Sequence, residues 1–257
     1  MNKKLLLYLM IIMLCPAAPF TSIAEPEKTI TVSAAISLKN AFEEIGNLYT
    51  LRYGMKCIFN FGASGDLVKQ MAGGAPVDVF ASASQKDMDE AAGLGLIHAD
   101  TRVNFAANGI VLIIPSGSAV SLASFDGLTG KGIQYIAIGN PRTVPAGRYA
   151  EEVLYFYGQL PVLKNKFIYT ENVRQVLDYV ARDEVDAGVV YATDAIVRSK
   201  EVRVIAVAPE KSHKPIVYPI CAVKGTKRMA DSRAFISMVL SRDGNTILQK
   251  YGFKKVD

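Results

Sequence analysis

From residue 29 onward, short apolar runs alternate with longer stretches of helical spacing. Thr29–Ser33 has the pattern of a short strand. Leu38–Tyr53 then repeats its apolar positions at Ala41, Phe42, Ile45, Leu48 and Tyr49, the three-and-four spacing of one helix face. Further strands are predicted at Cys57–Phe61, Val77–Ala81, Gly109–Ile114, Tyr135–Ile138, Phe167–Tyr169, Gly188–Tyr191, Val202–Val207 and Val217–Val223. Helices are predicted around Leu67–Ala72 and Lys86–Ala92, behind the strands Tyr135–Ile138, Phe167–Tyr169 and Gly188–Tyr191, and near Arg233–Leu240 and Asn245–Tyr251. This alternation predicts an α/β protein with mostly parallel sheets flanked by helices. No low-complexity linker divides the chain, so a second lobe must be inserted into the first. The natural crossovers are Phe105–Asn108 outward and about Ala206–Glu210 back. They predict a discontinuous lobe of residues 25–106 plus 207–257 and a continuous lobe of 107–206.

Four predicted strands end in a loop of small or polar residues from which a helix starts at once. The loops are Ser33-Ala-Ala-Ile-Ser37-Leu, Phe61-Gly-Ala-Ser64-Gly-Asp, Asn140-Pro-Arg-Thr-Val-Pro145-Ala-Gly147 and Tyr169-Thr-Glu-Asn172-Val-Arg. In parallel α/β sheets such loops lie at the carboxyl edge, where ligands bind. Each presents free backbone N–H groups and the positive end of a helix dipole. Two loops per lobe, facing each other, would form a cage of donors suited to an anion. Taken singly, each loop is also an ordinary helix cap, since Ser and Asn cap helices whether or not anything binds.

The start of the chain changes where this protein is expected to work. Lys3 and Lys4 precede the apolar run Leu5 to Leu14, and Ser22-Ile23-Ala24 offers a small-x-small site. The pattern is that of a secretory signal peptide, residues 1–24, cleaved after Ala24. A run of ten is far short of the ~20 residues that span a bilayer. Cys15 lies between Leu14 and Pro16, without the small neighbours expected of a lipidated cysteine. A soluble, exported, periplasmic or extracytoplasmic protein is expected.

Composition then narrows the partners. The chain has 257 residues with 29 Lys+Arg and 24 Asp+Glu. Losing the two lysines of the signal segment leaves 27 − 24 = +3. No run of five like charges occurs and no basic residues interleave with aromatics, so no nucleic-acid partner is expected. Cys57 and Cys221 sit in apolar runs; in an oxidising compartment they could pair or remain buried thiols. Neither has a second Cys or His at ligand spacing.

Catalytic motifs are weak. Gly62-Ala-Ser64-Gly-Asp66 lacks the second glycine of a nucleophile elbow, because Asp66 stands there. His98 falls in a helix-exit loop and His213 in a Lys-rich turn, neither placed as a base. A secreted serine hydrolase using Ser64 is the rival from another class, and no enzyme is expected. Asp87, Asp89 and Glu90 read as the solvated face of a helix.

Six ordered runs carry a family resemblance. They are Ala34-Ala-Ile-Ser37-Leu-Lys-Asn-Ala, Phe61-Gly-Ala-Ser64, Gly74-Ala-Pro-Val-Asp78-Val-Phe-Ala-Ser82-Ala, Val144-Pro-Ala146-Gly-Arg-Tyr-Ala150, Glu171-Asn-Val173-Arg and Gly188-Val-Val-Tyr191-Ala-Thr-Asp194-Ala. With the Tyr251-Gly-Phe253 ending, the chain resembles the periplasmic molybdate-binding proteins of ABC transporters over nearly its whole length. The resemblance implies a two-lobed periplasmic-binding-protein fold with the ligand cleft between the lobes. It implies capture of molybdate or tungstate, no cofactor, a membrane permease as partner, and a monomer. Another tetrahedral oxyanion such as sulfate is the alternative ligand. The implied oxyanion contacts are Ser37 and Ser64, through hydroxyl and backbone N–H, the N–H groups of Ala146 and Val173, and the Tyr191 phenol. These residues touch the oxygens of the oxometalate and do not hold a bare metal ion. Ile36 stands where the family more often has a small residue, and Gly65-Asp66 where it often continues with Ser or Thr. The Asp66 carboxylate is therefore expected to point along its helix, away from the ligand.

Overall fold

A computed structural model describes residues 28–256. The predicted export segment, its cleavage point and Cys15 lie outside the described residues. The first sheet is built from β1 (Thr29–Ala35), β2 (Lys56–Gly62), β3 (Val79–Ala81) and β4 (Val103–Ala107). Helices α1 (Lys39–Tyr53), α2 (Ser64–Ala72) and α3 (Gln85–Gly93) connect them. Asn108 and Gly109 carry the chain into the second sheet, made of β5 (Ile110–Pro115), β6 (Ile136–Gly139), β7 (Phe167–Thr170), β8 (Ala187–Tyr191) and β9 (Val202–Val207). Its helices are α4 (Pro145–Phe156), α5 (Leu160–Leu163), α6 (Val173–Ala181) and α7 (Ala192–Val197). The chain then returns as β10 (Val217–Ala222) and ends in α8 (Met229–Leu240) and α9 (Arg242–Lys250).

The strand orders are β2-β1-β3-β10-β4 and β7-β6-β8-β5-β9. β1 runs parallel to β2 and β3, and β6 parallel to β7 and β8. These are the strands joined by helical crossovers, which demand parallel pairing. β10 is antiparallel to β3 and β4, and β5 to β8 and β9. The antiparallel pairs belong to the strands that carry the chain between sheets. Each sheet is therefore mixed, with its parallel half as the alternation implies.

Two boundaries differ from the sequence reading for local reasons. Val103–Ala107 forms the edge strand β4 rather than a bare crossover, because pairing with β10 satisfies a segment whose apolar run Asn104 interrupts. α8 begins at Met229, ahead of Arg233, and its start carries no capping side chain that could mark it in the sequence. The first core gathers Phe42, Tyr49 and Phe235 in edge-to-face contacts, ring centroids 5.4–5.9 Å apart. All six residues of β5 are buried, as expected of a central strand covered on both faces.

Candidate functional site

Every predicted loop sits where a strand hands over to a helix. After β1, a single 3₁₀ turn, Ile36–Leu38, carries Ser37 into α1. α2 starts at Ser64, α4 at Pro145 and α6 at Val173, each just beyond a strand of its sheet. Tyr191 closes β8 as α7 begins.

The sheets face each other so that Ser37, Ser64, Ala146, Val173 and Tyr191 line one cavity of about 200 Å³. None of the five is more than 6% exposed, so the lobes are closed over the cavity. Its other walls are Ala35, Ile36, Gly62, Ala63, Ala83, Val144 and Pro145, so the Ile36 side chain stands in the wall. The space is far too small for a drug-sized molecule. It suits a small ion. Asp66 is not in the wall; its carboxylate pairs with Lys69 at 3.2 Å along α2.

The hydrogen-bond pattern distinguishes the two serines from helix caps. Asn172 caps α6, its side chain accepting from the Gln175 N–H. Ser37 and Ser64 cap nothing. Ser64 Oγ instead accepts the N–H of Ala83 at 3.0 Å, and Ser37 Oγ lies 3.1 Å from the Tyr218 hydroxyl. The N–H groups of Ser64, Ala146 and Val173 fall in the first turns of α2, α4 and α6, where no helical carbonyl can reach them. The Tyr191 hydroxyl donates to the Ala83 carbonyl at 3.3 Å, across the lobes. Burial pushes the Tyr191 and Tyr218 hydroxyls above their ordinary range, so both stay protonated and able to donate.

Polar contacts clamp the lobes together around the cavity. Gly65 N–H donates to the Thr143 carbonyl at 3.0 Å. Arg148 on α4 reaches Asp87 on α3 at 2.5 Å and Ser84 at 3.2 Å. Arg174, next to Val173, donates to Asn40 on α1 at 3.3 Å and lies 3.2 Å from Asp194. Asp87 thus corrects the sequence reading. Asp89, paired with Arg102, keeps the exposed face, but Asp87 is 1% exposed and bound across the cleft. Nothing local marks it, because its partner lies 61 residues away. Ala83, Tyr218 and Asn108 also escaped the sequence reading as residues around the site. Ala83 closes a matched run and was within reach; Tyr218 sits in an unremarkable strand.

Burial pushes the Asp194 carboxyl up to about 6, against the pull of Arg174. A carboxyl raised above its unfolded value stabilises the fold fully at low pH and loses that contribution as pH rises through the folded value. The urea midpoint of Asp194→Asn relative to the unmutated protein is therefore expected to move in the variant's favour between pH 4 and 7. A constant difference would show an ordinary carboxyl.

Neither His98 nor His213 lines the cavity, and His213 Nδ1 lies 2.8 Å from the Lys214 carbonyl. Ser64 therefore shares its cavity with no histidine of the described residues. Cys57 and Cys221 are both free thiols, pushed by burial up to about 12.

The family model for bacterial extracellular solute-binding proteins matches residues 30–254. A putative ABC transporter substrate-binding lipoprotein of Bacillus subtilis, YvgL, is 37% identical over 93% of this chain and 91% of its own. The molybdate-binding protein ModA of Escherichia coli is 37% identical over 88% of this chain and 89% of its own. Among solved structures, the substrate-binding domain of a putative molybdenum ABC transporter from Clostridium difficile superposes with a TM-score of 0.69 at 36% identity, covering 89% of this chain and 99% of that one. The periplasmic molybdate-binding protein of Azotobacter vinelandii has the same fold, with a TM-score of 0.79 at 24% identity over 89% of this chain and all of its own. The chain belongs to the bacterial extracellular solute-binding proteins, and it is a binding protein, not an enzyme.

Proposed function

We propose that this protein captures molybdate, and tungstate alongside it, between its two lobes and delivers the oxyanion to the permease of an ABC transporter. In this reading the lobes are residues 25–106 with 207–257, and 107–206. The protein acts as a monomer outside the cytoplasm after cleavage behind Ala24. The carrying observation is that five residues from both sheets, all neutral donors, converge on one closed cavity. The relatives named for molybdate point the same way.

The chemistry follows from the donors. A dianion sealed from water is held by pre-oriented N–H and O–H groups through charge-assisted bonds. No cofactor is required. Ser64 Oγ already accepts from Ala83, so its hydroxyl has its proton free to donate. Tyr191 has only a long, weak bond to the Ala83 carbonyl to give up. A protonated oxyanion fares worse, since a buried P–OH without an acceptor costs roughly 1–3 kcal/mol.

The test is calorimetric titration of Ser37→Ala and Ser64→Ala with molybdate, tungstate, sulfate and phosphate. Each substitution should remove one charge-assisted bond, about 1.5–3 kcal/mol or ten- to a hundred-fold in affinity. Tyr191→Phe should lose a similar amount, whereas Val173→Ala keeps its N–H and should change little. If molybdate affinity stays within a factor of about three, under 1 kcal/mol, while the empty protein loses stability, these serines are structural. Binding of sulfate without molybdate would reassign the ligand.

A further inference from the structure

We infer that Asn108 and Tyr218 are positioning residues that fix the Ser37 hydroxyl as a donor into the cavity. The inference rests on the proposed oxyanion site and goes beyond its five contacts.

The direction of the chain of bonds is set at its far end. Asn108 lies in the two-residue link between β4 and β5, where the chain first passes from one sheet to the other. The Gly109 N–H can only donate, and it does so to Asn108 Oδ1 at 2.9 Å. That fixes Nδ2 as the opposite end of the side-chain amide. Its two N–H groups reach Thr193 Oγ1 at 2.9 Å and the Tyr218 hydroxyl oxygen at 3.1 Å. With its oxygen accepting from Asn108, Tyr218 turns its own proton to Ser37 Oγ, 3.1 Å away. Ser37 in turn has an occupied acceptor, and its remaining proton has the cavity before it. Tyr218 is fully buried and pinned by edge contacts to Phe105 at 6.3 Å and Phe253 at 5.4 Å, so it cannot swing to another partner.

The chain also joins the link between lobes to the ligand. Asn108 bonds Thr193 of the second lobe and Tyr218 of the first, so the side chain that bridges the two sheets also holds the partner of Ser37. Ser64 reaches the same donor-only state through the Ala83 N–H. The two serines are thus set by independent devices.

A double-mutant cycle on the full chain, titrated with molybdate, tests the inference. Tyr218→Phe keeps the ring and removes only the donor to Ser37. It should weaken molybdate binding about ten-fold in the unmutated protein and less than three-fold in Ser37→Ala. Asn108→Asp leaves an acceptor for Gly109 but draws the Tyr218 proton away from Ser37; its loss should likewise shrink in Ser37→Ala. A merely structural role would lower the melting temperature and weaken binding equally in both backgrounds, and that additivity would overturn the inference. So would full affinity in Tyr218→Phe. The underlying site fails differently: either the unmutated protein does not bind molybdate, or Ser37→Ala binds it undiminished, and the chain of bonds then has no ligand to serve.

Discussion

Gly147→Ala is expected to cost about 3 kcal/mol or more of stability, the upper range for overpacking a closed core, and to lower the melting temperature by roughly 10 °C for a chain of this size. A Cβ on residue 147 would lie 1.9 Å from the Gly139 carbonyl oxygen and 2.5 Å from its carbon. Both atoms are backbone of Gly139, which ends β6, and Gly147 lies in the first turn of α4, so no side chain can turn aside. Relief requires α4 to back away from β6, which takes the Ala146 N–H with it. Molybdate affinity should therefore fall along with stability, although residue 147 donates nothing to the proposed site. Thermal melting with and without molybdate checks both effects. A melting point within about 2 °C of the unmutated value, about 1 kcal/mol or less, would mean that the helix can slide at little cost.

Gly65→Val should do the reverse, sparing the empty protein and disabling capture. Gly65 lies in the first turn of α2, where a Cβ would stand 2.9 Å from the Thr143 carbonyl oxygen and 3.0 Å from its Cα. Thr143 belongs to the opposite lobe, so the collision exists only while the lobes are closed. A substituent here biases the hinge toward open forms without entering either core. Molybdate affinity is expected to fall about a hundred-fold, near 3 kcal/mol, with the melting temperature of the unliganded protein almost unchanged. Scattering gives a second readout. The unmutated protein should become more compact with molybdate, and the variant should keep its larger radius of gyration. Equal compaction in both would show that the Gly65–Thr143 approach does not govern closure.

These glycines also show how the loops are used. Of their small residues, Ala35, Ala63 and Ala146 line the cavity. Gly147 and Gly65 serve a different need. One lets α4 pack directly on β6, and the other lets two lobes touch through their main chains.

The sequence by itself determined the alternation of strands and helices and the loops that hold Ser37, Ser64, Ala146 and Val173. These are short-range features, written in periodicities of two and 3.6 and in the residue that follows each strand. It could not decide which strands run antiparallel, because pairing direction depends on how the chain enters and leaves each sheet. It left the serines open between capping a helix and facing a ligand, since both roles need the same residue at the same place. Only the tertiary structure gave their oxygens other partners, the Ala83 N–H and the Tyr218 hydroxyl. The buried Arg148–Asp87 clamp was likewise invisible, its members 61 residues apart on different lobes. A charge on a helix looks solvated until the opposite lobe closes over it, and that closure is set by contacts distant in the chain.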